Sequence, residues 1–397
     1  MENVQLSWLH EDSEGFFTVA KLGRTWRQYY FNNIESLNIN LKDRDVYISQ
    51  NTFNNKSRRL VHLKELKALY IDIDCYNKKL TKEAVKYFLE NDLYGQIPIP
   101  NMLIDSGRGL YYIIFLENTG VKELPKWQVV EKFLYEKLKY LGADAKALDA
   151  TRVLRITGSM NSKSNSIVKI IDSYDYKYTL DDILENYIPE IIEEKKEIQK
   201  PKKTKKRGRK KKIVSLYNLY NLYYTRINDI KKLVEIRNYN MTGYREITLF
   251  LLRYFLNVYC KDDEQALNEI IYINSFFTEP LSDDEVIEAT SSATIGGTES
   301  KYKYSNDKLI DILEITPLEQ KEMATIISKS EKYRRNNEAR KIKRRNSEGL
   351  TKREADKLNK LNKIKELKSK KYKNNEIAKK MNMSISQVKK YLKEARD

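Results

Sequence analysis

Apolar and polar positions along this chain change their period several times, and each change predicts an element. From the start to about residue 65 the chain reads as short strands and turns, with two-residue alternation in Phe16-Phe17-Thr18-Val19-Ala20 and in Val46-Tyr47-Ile48-Ser49. Residues 66–74, Leu-Lys-Ala-Leu-Tyr-Ile-Asp-Ile-Asp, form an apolar strand that ends in two carboxylates. Side chains alternate along a strand, so Asp72 and Asp74 project from one face. Thr81 is placed to cap a helix carrying Val85, Phe88 and Leu89 on one side and stopping near Gly95. Apolar runs at 102–105 and 110–116 flank Ser106-Gly-Arg-Gly109 and predict a hairpin. Val129, Val130, Phe133, Leu134 and Leu138 give one apolar face to a helix over 126–140, which Gly142 ends. A closing strand follows at 167–173, then a helix that opens at Asp181 and runs into 193–196.

The periodicity then vanishes. Residues 200–212 hold lysine, arginine, proline and glycine with no apolar residue to build a core, so they read as a disordered basic linker. Helical spacing returns at 227–235, 245–258, 262–273 and 282–292; from 328 to 371 the chain is charged and helical by propensity. The end reads as two short helices around a turn. Ala378 lets them cross closely, Ser384 caps the second, and Ile377, Met381, Ile385, Val388 and Leu392 make the shared core. The expected divisions are 1–190, a linker at 191–214, a helical domain at 215–315, a charged spacer at 316–370 and the helix pair at 371–397.

Charge adds a partner class. In 397 residues, 74 lysines and arginines against 56 acids leave a formal net charge of +18. Such a surplus favours a polyanion, although AT-rich coding DNA would also enrich lysine without explaining where it clusters. Cys75 and Cys260 lie far apart and the histidines are His10 and His62, so no Cys/His zinc cluster can form and a reduced compartment fits. There is no run of about twenty apolar residues and no basic, apolar leader, which predicts a soluble, non-secreted, cytoplasmic protein without a membrane partner. The chain lacks a Gly-x-x-x-x-Gly-Lys-Ser/Thr loop and a His-x-His pair, which excludes a helicase of the first class and a rolling-circle nuclease of the second.

Three segments carry candidate chemistry. Two carboxylates on one strand face repel unless a cation sits between them, so Asp72 and Asp74 read as ligands of a divalent metal or as a merely solvated pair. In the Ser106–Gly109 turn the backbone can approach a ligand while Ser106 and Arg108 offer a hydroxyl and a guanidinium to phosphate; the plain alternative is a glycine hairpin. The run 148–163 places Asp149, Arg152, Arg155, Gly158 and Lys163 close together, and acidic metal ligands beside guanidinium clamps suit phosphoryl or nucleotidyl transfer. Arg58 and Arg59 read as solvated surface or phosphate contacts. Elsewhere, Arg207-Gly-Arg209 resembles a minor-groove hook or is a solvated linker. Tyr217, Tyr220, Tyr223 and Tyr224 stack on bases or pack at helical spacing. Ser386, Gln387, Lys389 and Lys390 face a DNA groove if the terminal helices form a helix-turn-helix, or solvent if they are a plain hairpin.

Taken in order, Tyr-Ile-Asp72-Ile-Asp74, then Ser106-Gly-Arg-Gly-Leu-Tyr111, then Asp149 with Arg152-Val-Leu-Arg155-Ile-Thr-Gly158-Ser-Met-Asn161-Ser-Lys163, resemble the catalytic domain of the archaeo-eukaryotic primase superfamily over about residues 40–175. The likeness is strongest to primase-polymerases of plasmids and integrated elements. It implies an α+β fold: an RRM-like catalytic core with accessory strands, then an all-α domain like that following such cores, then a C-terminal helix-turn-helix. It further implies that Asp72, Asp74 and Asp149 hold two Mg2+ or Mn2+ ions, and that Ser106, Arg108, Tyr111, Arg155 and Lys163 bind the nucleotide. Where the family carries histidine this chain has Tyr111, which can donate a hydrogen bond but cannot become a cation near neutral pH. The implied function is template-directed nucleotidyl transfer in DNA replication on a mobile replicon. Its partners would be a single-stranded template, nucleoside triphosphates, an origin duplex and a separate helicase. The alternative is a non-catalytic initiator that binds an origin, its primase core degenerate.

Overall fold

In the computed structural model of the chain, which describes residues 3–191, 212–260, 262–293 and 304–394, the β-structure lies between Phe17 and Ser173. One sheet runs in the order β2 (Trp26–Phe31), β1 (Phe17–Leu22), β3 (Val46–Ser49), β8 (Val153–Arg155), antiparallel throughout. A second runs β11 (Lys169–Ser173), β6 (Met102–Asp105), β7 (Leu110–Gly120), β5 (Leu63–Ile73), β4 (Thr52–Phe53). A ribbon of β9 (Met160–Asn161) and β10 (Ser166–Ile167) completes the set.

The helices α2 (Lys82–Phe88), α3 (Leu124–Leu138) and α4 (Leu180–Tyr187) match their sequence signals, with Thr81 and Thr179 accepting the capping amides. The helix expected to run into 193–196 breaks at Ile188 after Tyr187 and helical residues resume at 189–191, while 193–196 lie outside the described residues. The start of the chain also departs from expectation. Val4–His10 is a helix, α1, where strands and turns were predicted. Seven residues are too few for a helical period to stand out; what fixes α1 is Asn3, whose side chain caps it and donates to the Thr157 carbonyl at 2.7 Å. Leu6 then joins Phe17, Val19, Val46, Ile48 and Ile156 in the core beneath the four-stranded sheet.

Strand β5 organises the rest, because its apolar residues are buried on both faces and β7 covers only one of its edges. Beyond the short β4, side chains and a loop satisfy the other edge: Asn51 accepts from Lys67 N, Trp127 Nε1 donates to Ala68 O, and Glu131 accepts from Tyr70 N. Further along, Asp144 N donates to Asp72 O at 2.8 Å and Asp74 N to Gly142 O at 2.9 Å. An edge of backbone polar groups cannot be left buried and unpaired, which is why the 142–144 loop lies where it does.

Helices α5 (Lys212–Ile236), α6 (Arg245–Cys260), α7 (Asp263–Asn274), α8 (Asp283–Thr290) and α9 (Asn306–Ile312) share a compact unit with the sheets. Leu60 N donates to Glu269, His62 bonds Tyr272, and Tyr224 OH donates to Val121 O. The tyrosine run of α5 serves packing at least in part: Tyr220 is buried and the Tyr223 ring stacks on Phe255 at 5.1 Å. The expected basic linker lies outside the described residues over 192–211, Arg207 and Arg209 included, while its last residues open α5 at Lys212. None of the described helices is long and apolar enough to cross a membrane.

A second unit comprises Thr316–Lys321 and residues from Ile327 onward. In it α10 (Lys329–Lys343) is largely exposed, with Glu331 pinning Arg334 and Arg335 at its start. Helices α11 (Lys352–Ser369), α12 (Asn374–Met381) and α13 (Ile385–Glu394) surround a small core of Ile364, Ile377, Ala378 and Val388. Ile385, expected in that core, is exposed at the first turn of α13, and Ile364 of α11, read from sequence as spacer, fills the place instead.

Candidate active site

Asp72 sits near the end of β5, in register with Tyr111 on β7, and Asp74 lies just past the strand. Two glycines let the neighbouring chain close in on this strand end. A Cβ at Gly109 would collide with the Ile73 carbonyl, and one at Gly142, whose φ is +105°, would stand 2.6 Å from the Asp74 carbonyl. The hairpin turn therefore presses on one side of the carboxylate pair and the 142–144 loop on the other.

That loop brings a third acid. Burial, with repulsion from Asp74 and then Asp144, pushes the Asp72 carboxyl up to about 7. Asp74 is also raised, by burial and by Asp144, while the Tyr76 phenol that donates to it, Arg108 and Lys163 draw it back. Asp74 and Asp144 line one open cleft of about 530 Å3. None of the three acids forms an ion pair with a described residue.

Asp149 is differently engaged. Its carboxylate pairs with Arg152 at 2.7 Å and accepts from the Thr151 amide and hydroxyl, and its backbone carbonyl accepts from the Tyr70 phenol. Its charge is already met by Arg152, a guanidinium that also acts on Asp72. Among the described residues no three acids, histidines or cysteines converge tightly enough to enclose a metal. The donor chemistry still fits a hard divalent ion, since Asp72, Asp74 and Asp144 offer carboxylate oxygens that form no ion pair with a described residue.

The phosphate-binding candidates are held in place by residues the motif reading did not single out. Lys82 donates to both oxygens of Asp105 and to Gly107 O, and Asn161 donates to Ser106 O at 2.7 Å, which fixes the turn from both ends. The Arg108 guanidinium lies over the Tyr76 ring, 4.2 Å from its centroid. Arg155 pairs with Asp45 at 3.0 Å, lies over Tyr47 and donates to the Tyr111 phenol. Burial, and then Asp72, hold that phenol above its ordinary value, so it stays neutral. Lys163 is exposed. Asp144, Lys82, Tyr76 and Asp45 were all missed, and only the Gly142-Ala-Asp144 turn ending a helix offered a local signal. In the second unit Ser386, Gln387, Lys389 and Lys390 are exposed, with Gln387 and Ser384 exchanging capping hydrogen bonds at the start of α13.

No protein-family profile matches the chain. A replication protein of Clostridium perfringens is 42% identical over 325 residues, covering 81% of this chain and 78% of that protein. Among solved structures, the primase-polymerase domain of cyanophage S-2L aligns with a TM-score of 0.34 and 13% identity, over 46% of this chain and 95% of that one. The catalytic domain of primase RepB' in complex with initiator DNA aligns at 0.33 and 15%, over 49% and 95%.

Proposed function

The chain belongs to the family of the clostridial replication protein, and from that premise we propose that it is a template-directed nucleotidyltransferase, a primase or primase-polymerase that starts or extends DNA on a mobile replicon. One observation carries the reading: the 142–144 loop, bonded along the open edge of β5, sets Asp144 beside the unpaired Asp72 and Asp74, with Arg108 and Lys163 acting on the same group. Asp72, Asp74 and Asp144 would hold Mg2+ or Mn2+. Such ions, when bound, acidify an attacking hydroxyl and neutralise charge on the transferring phosphoryl group.

The chain's own residues do the positioning. Arg108 moves from the Tyr76 face to a triphosphate oxygen, Ser106 offers its hydroxyl, and Lys163 supplies a mobile cation from the opposite side. Arg155 is held by Asp45 and Tyr47, so it presents a fixed charge rather than a searching one. Asp149 serves the shape of the Arg152 segment. Deoxynucleoside or ribonucleoside triphosphates and a single-stranded template are the substrates. The exposed Lys389, Lys390, Ser386 and Gln387 of α13 would dock duplex DNA as the reading half of a helix-turn-helix, and unwinding would fall to a separate helicase.

The test is incorporation of labelled nucleotides on single-stranded templates, with and without primer, in Mg2+ and Mn2+. Asp74→Ala should abolish product while DNA binding persists; synthesis retained by that variant rejects the assignment. A second reading, a non-catalytic origin-binding initiator, draws on Tyr111, which is buried and already bonded to Arg155. Absence of product under every condition, with duplex binding intact, would select it.

A further inference from the structure

A cavity of about 620 Å3 opens between the four-stranded sheet and α7, and Asp72, Asp74 and Asp144 are not part of its lining. One wall is aromatic. Trp26, Gln28 and Tyr30 alternate along β2 and so share a face. Gln28 is in register with Ala20, and Ala20 with Tyr47, so the small Ala20 leaves room between them. The rings of Trp26 and Tyr47 lie 5.2 Å apart, tilted by 56°, and Trp26 is 40% exposed. A tryptophan that could pack flat on its neighbour but stays open offers a face to a planar ligand.

The facing wall is polar and incompletely paired. Arg152 Nε, Gln265 Oε1 and Glu269 Oε2 are buried without a hydrogen-bond partner, and Glu269 is only 2% exposed. Unpaired buried polar atoms are costly, and a small rotation that turns Gln265 Oε1 toward the cavity would let a ligand donor satisfy it. The Gln265 amide is committed to the Thr151 hydroxyl and the Asp149 carboxylate, so what this residue can offer the edge of a nucleobase is its unpartnered acceptor. Volume agrees, since 620 Å3 is within the range of small-ligand sites.

Charge chooses between a free nucleotide and a strand. Asp149, Asp262 and Glu264 line the cavity beside Arg58, Arg59 and Arg152. A free triphosphate concentrates its negative charge against those acids, whereas a strand brings one charge per nucleotide. We propose that this cavity holds one unstacked base of a single-stranded nucleic acid, its ring against Trp26 and Tyr47 and its edge on Gln265. The inference rests on the nucleotidyltransferase reading only in supplying a single strand as partner.

The experiment uses the full chain in chelator, so that no synthesis occurs, with a thymidine hexanucleotide carrying one 5-iodouracil. Salt of about 0.3 M suppresses backbone contacts with basic surfaces, while stacking persists. After irradiation, cross-linked peptides are mapped by mass spectrometry. The expected adducts fall on Trp26 or Tyr47. Trp26→Ala should weaken binding about tenfold, Trp26→Phe by less than about threefold, and Gln265→Ala about fivefold. Adducts confined to residues 327–394, or affinity unchanged in both Trp26→Ala and Gln265→Ala, would overturn the proposal. Cross-linking of 5-iodouridine triphosphate at the same site and concentration would overturn the choice of a strand. Nucleotide incorporation is assayed in parallel with metal: product without adducts at the cavity rejects the cavity alone, and adducts without product reject the enzyme reading alone.

Discussion

The side-chain amide of Gln265 on α7 donates to the Thr151 hydroxyl at 2.6 Å, and that hydroxyl donates to the Asp149 carboxylate at 2.7 Å. A residue of the helical layer is thereby wired to the acid of the third sequence motif. Thr151→Val keeps the shape but leaves the Gln265 amide and a carboxylate oxygen short of a partner. The expected cost is about 1–3 kcal/mol in urea unfolding, with Thr151→Ser nearly neutral.

Asp144 and Asp149 should separate cleanly. Asp144→Asn is expected to lower nucleotide incorporation by about a hundredfold or more with little change in melting temperature. Asp149→Asn removes the partner of Arg152 and should act mainly on stability, by about 1–3 kcal/mol. Measuring both quantities for both variants decides the matter, and the reverse pattern would restore Asp149 as the metal ligand.

His10 predicts a pH slope. It is buried, bonded through Nε2 to Ser49 O at 2.8 Å and stacked on Phe17, and burial lowers its pKa to about 3. Between pH 6.5 and 3 the unfolded chain binds a proton there that the folded chain refuses, so stability falls as pH falls through this window. At pH 5 the loss amounts to about 2 kcal/mol, at about 1.4 kcal/mol per pH unit. His10→Gln should flatten the slope of unfolding free energy between pH 7 and 5.

Glu131 has the opposite sign. Fully buried on α3, accepting from Tyr70 N and with its second oxygen unpartnered, it is pushed well above the ordinary carboxyl range by burial. It stays protonated when folded, while the unfolded chain ionises above about 4.5, so its contribution to stability falls as pH rises. Glu131→Gln keeps the acceptor and removes the titration. It should be neutral or stabilising at pH 8, whereas Glu131→Ala costs about 2–4 kcal/mol, both read from chemical denaturation.

The elements legible in sequence were those with local determinants: the Thr81 cap, the hairpin around Ser106–Gly109, and the apolar strand that carries Asp72 near its end with Asp74 just beyond it. What sequence could not settle was which later acid approaches that strand end. Asp144 and Asp149 lie five residues apart in one turn-rich stretch. Hydrogen bonds from the loop to an edge of β5 that no strand covers bring Asp144 up to it, a placement that no local period announces. The Trp26–Tyr47 wall is hidden for the same reason, being assembled across strands. Ile385 was assigned to the core because helical period alone cannot show that a third helix would supply Ile364.

The two glycine approaches also bear on how the chain is made. A ribosome that has released Asp74 has produced both carboxylates, yet the turn at Gly109 and the loop at Gly142 that hem them in are still to come. Until those segments arrive and dock, Asp72 and Asp74 are two ordinary acids on an unpaired strand, free to repel each other in water. The proposed metal site would therefore have no partial form during synthesis, because it would be assembled only after the chain has passed Asp144.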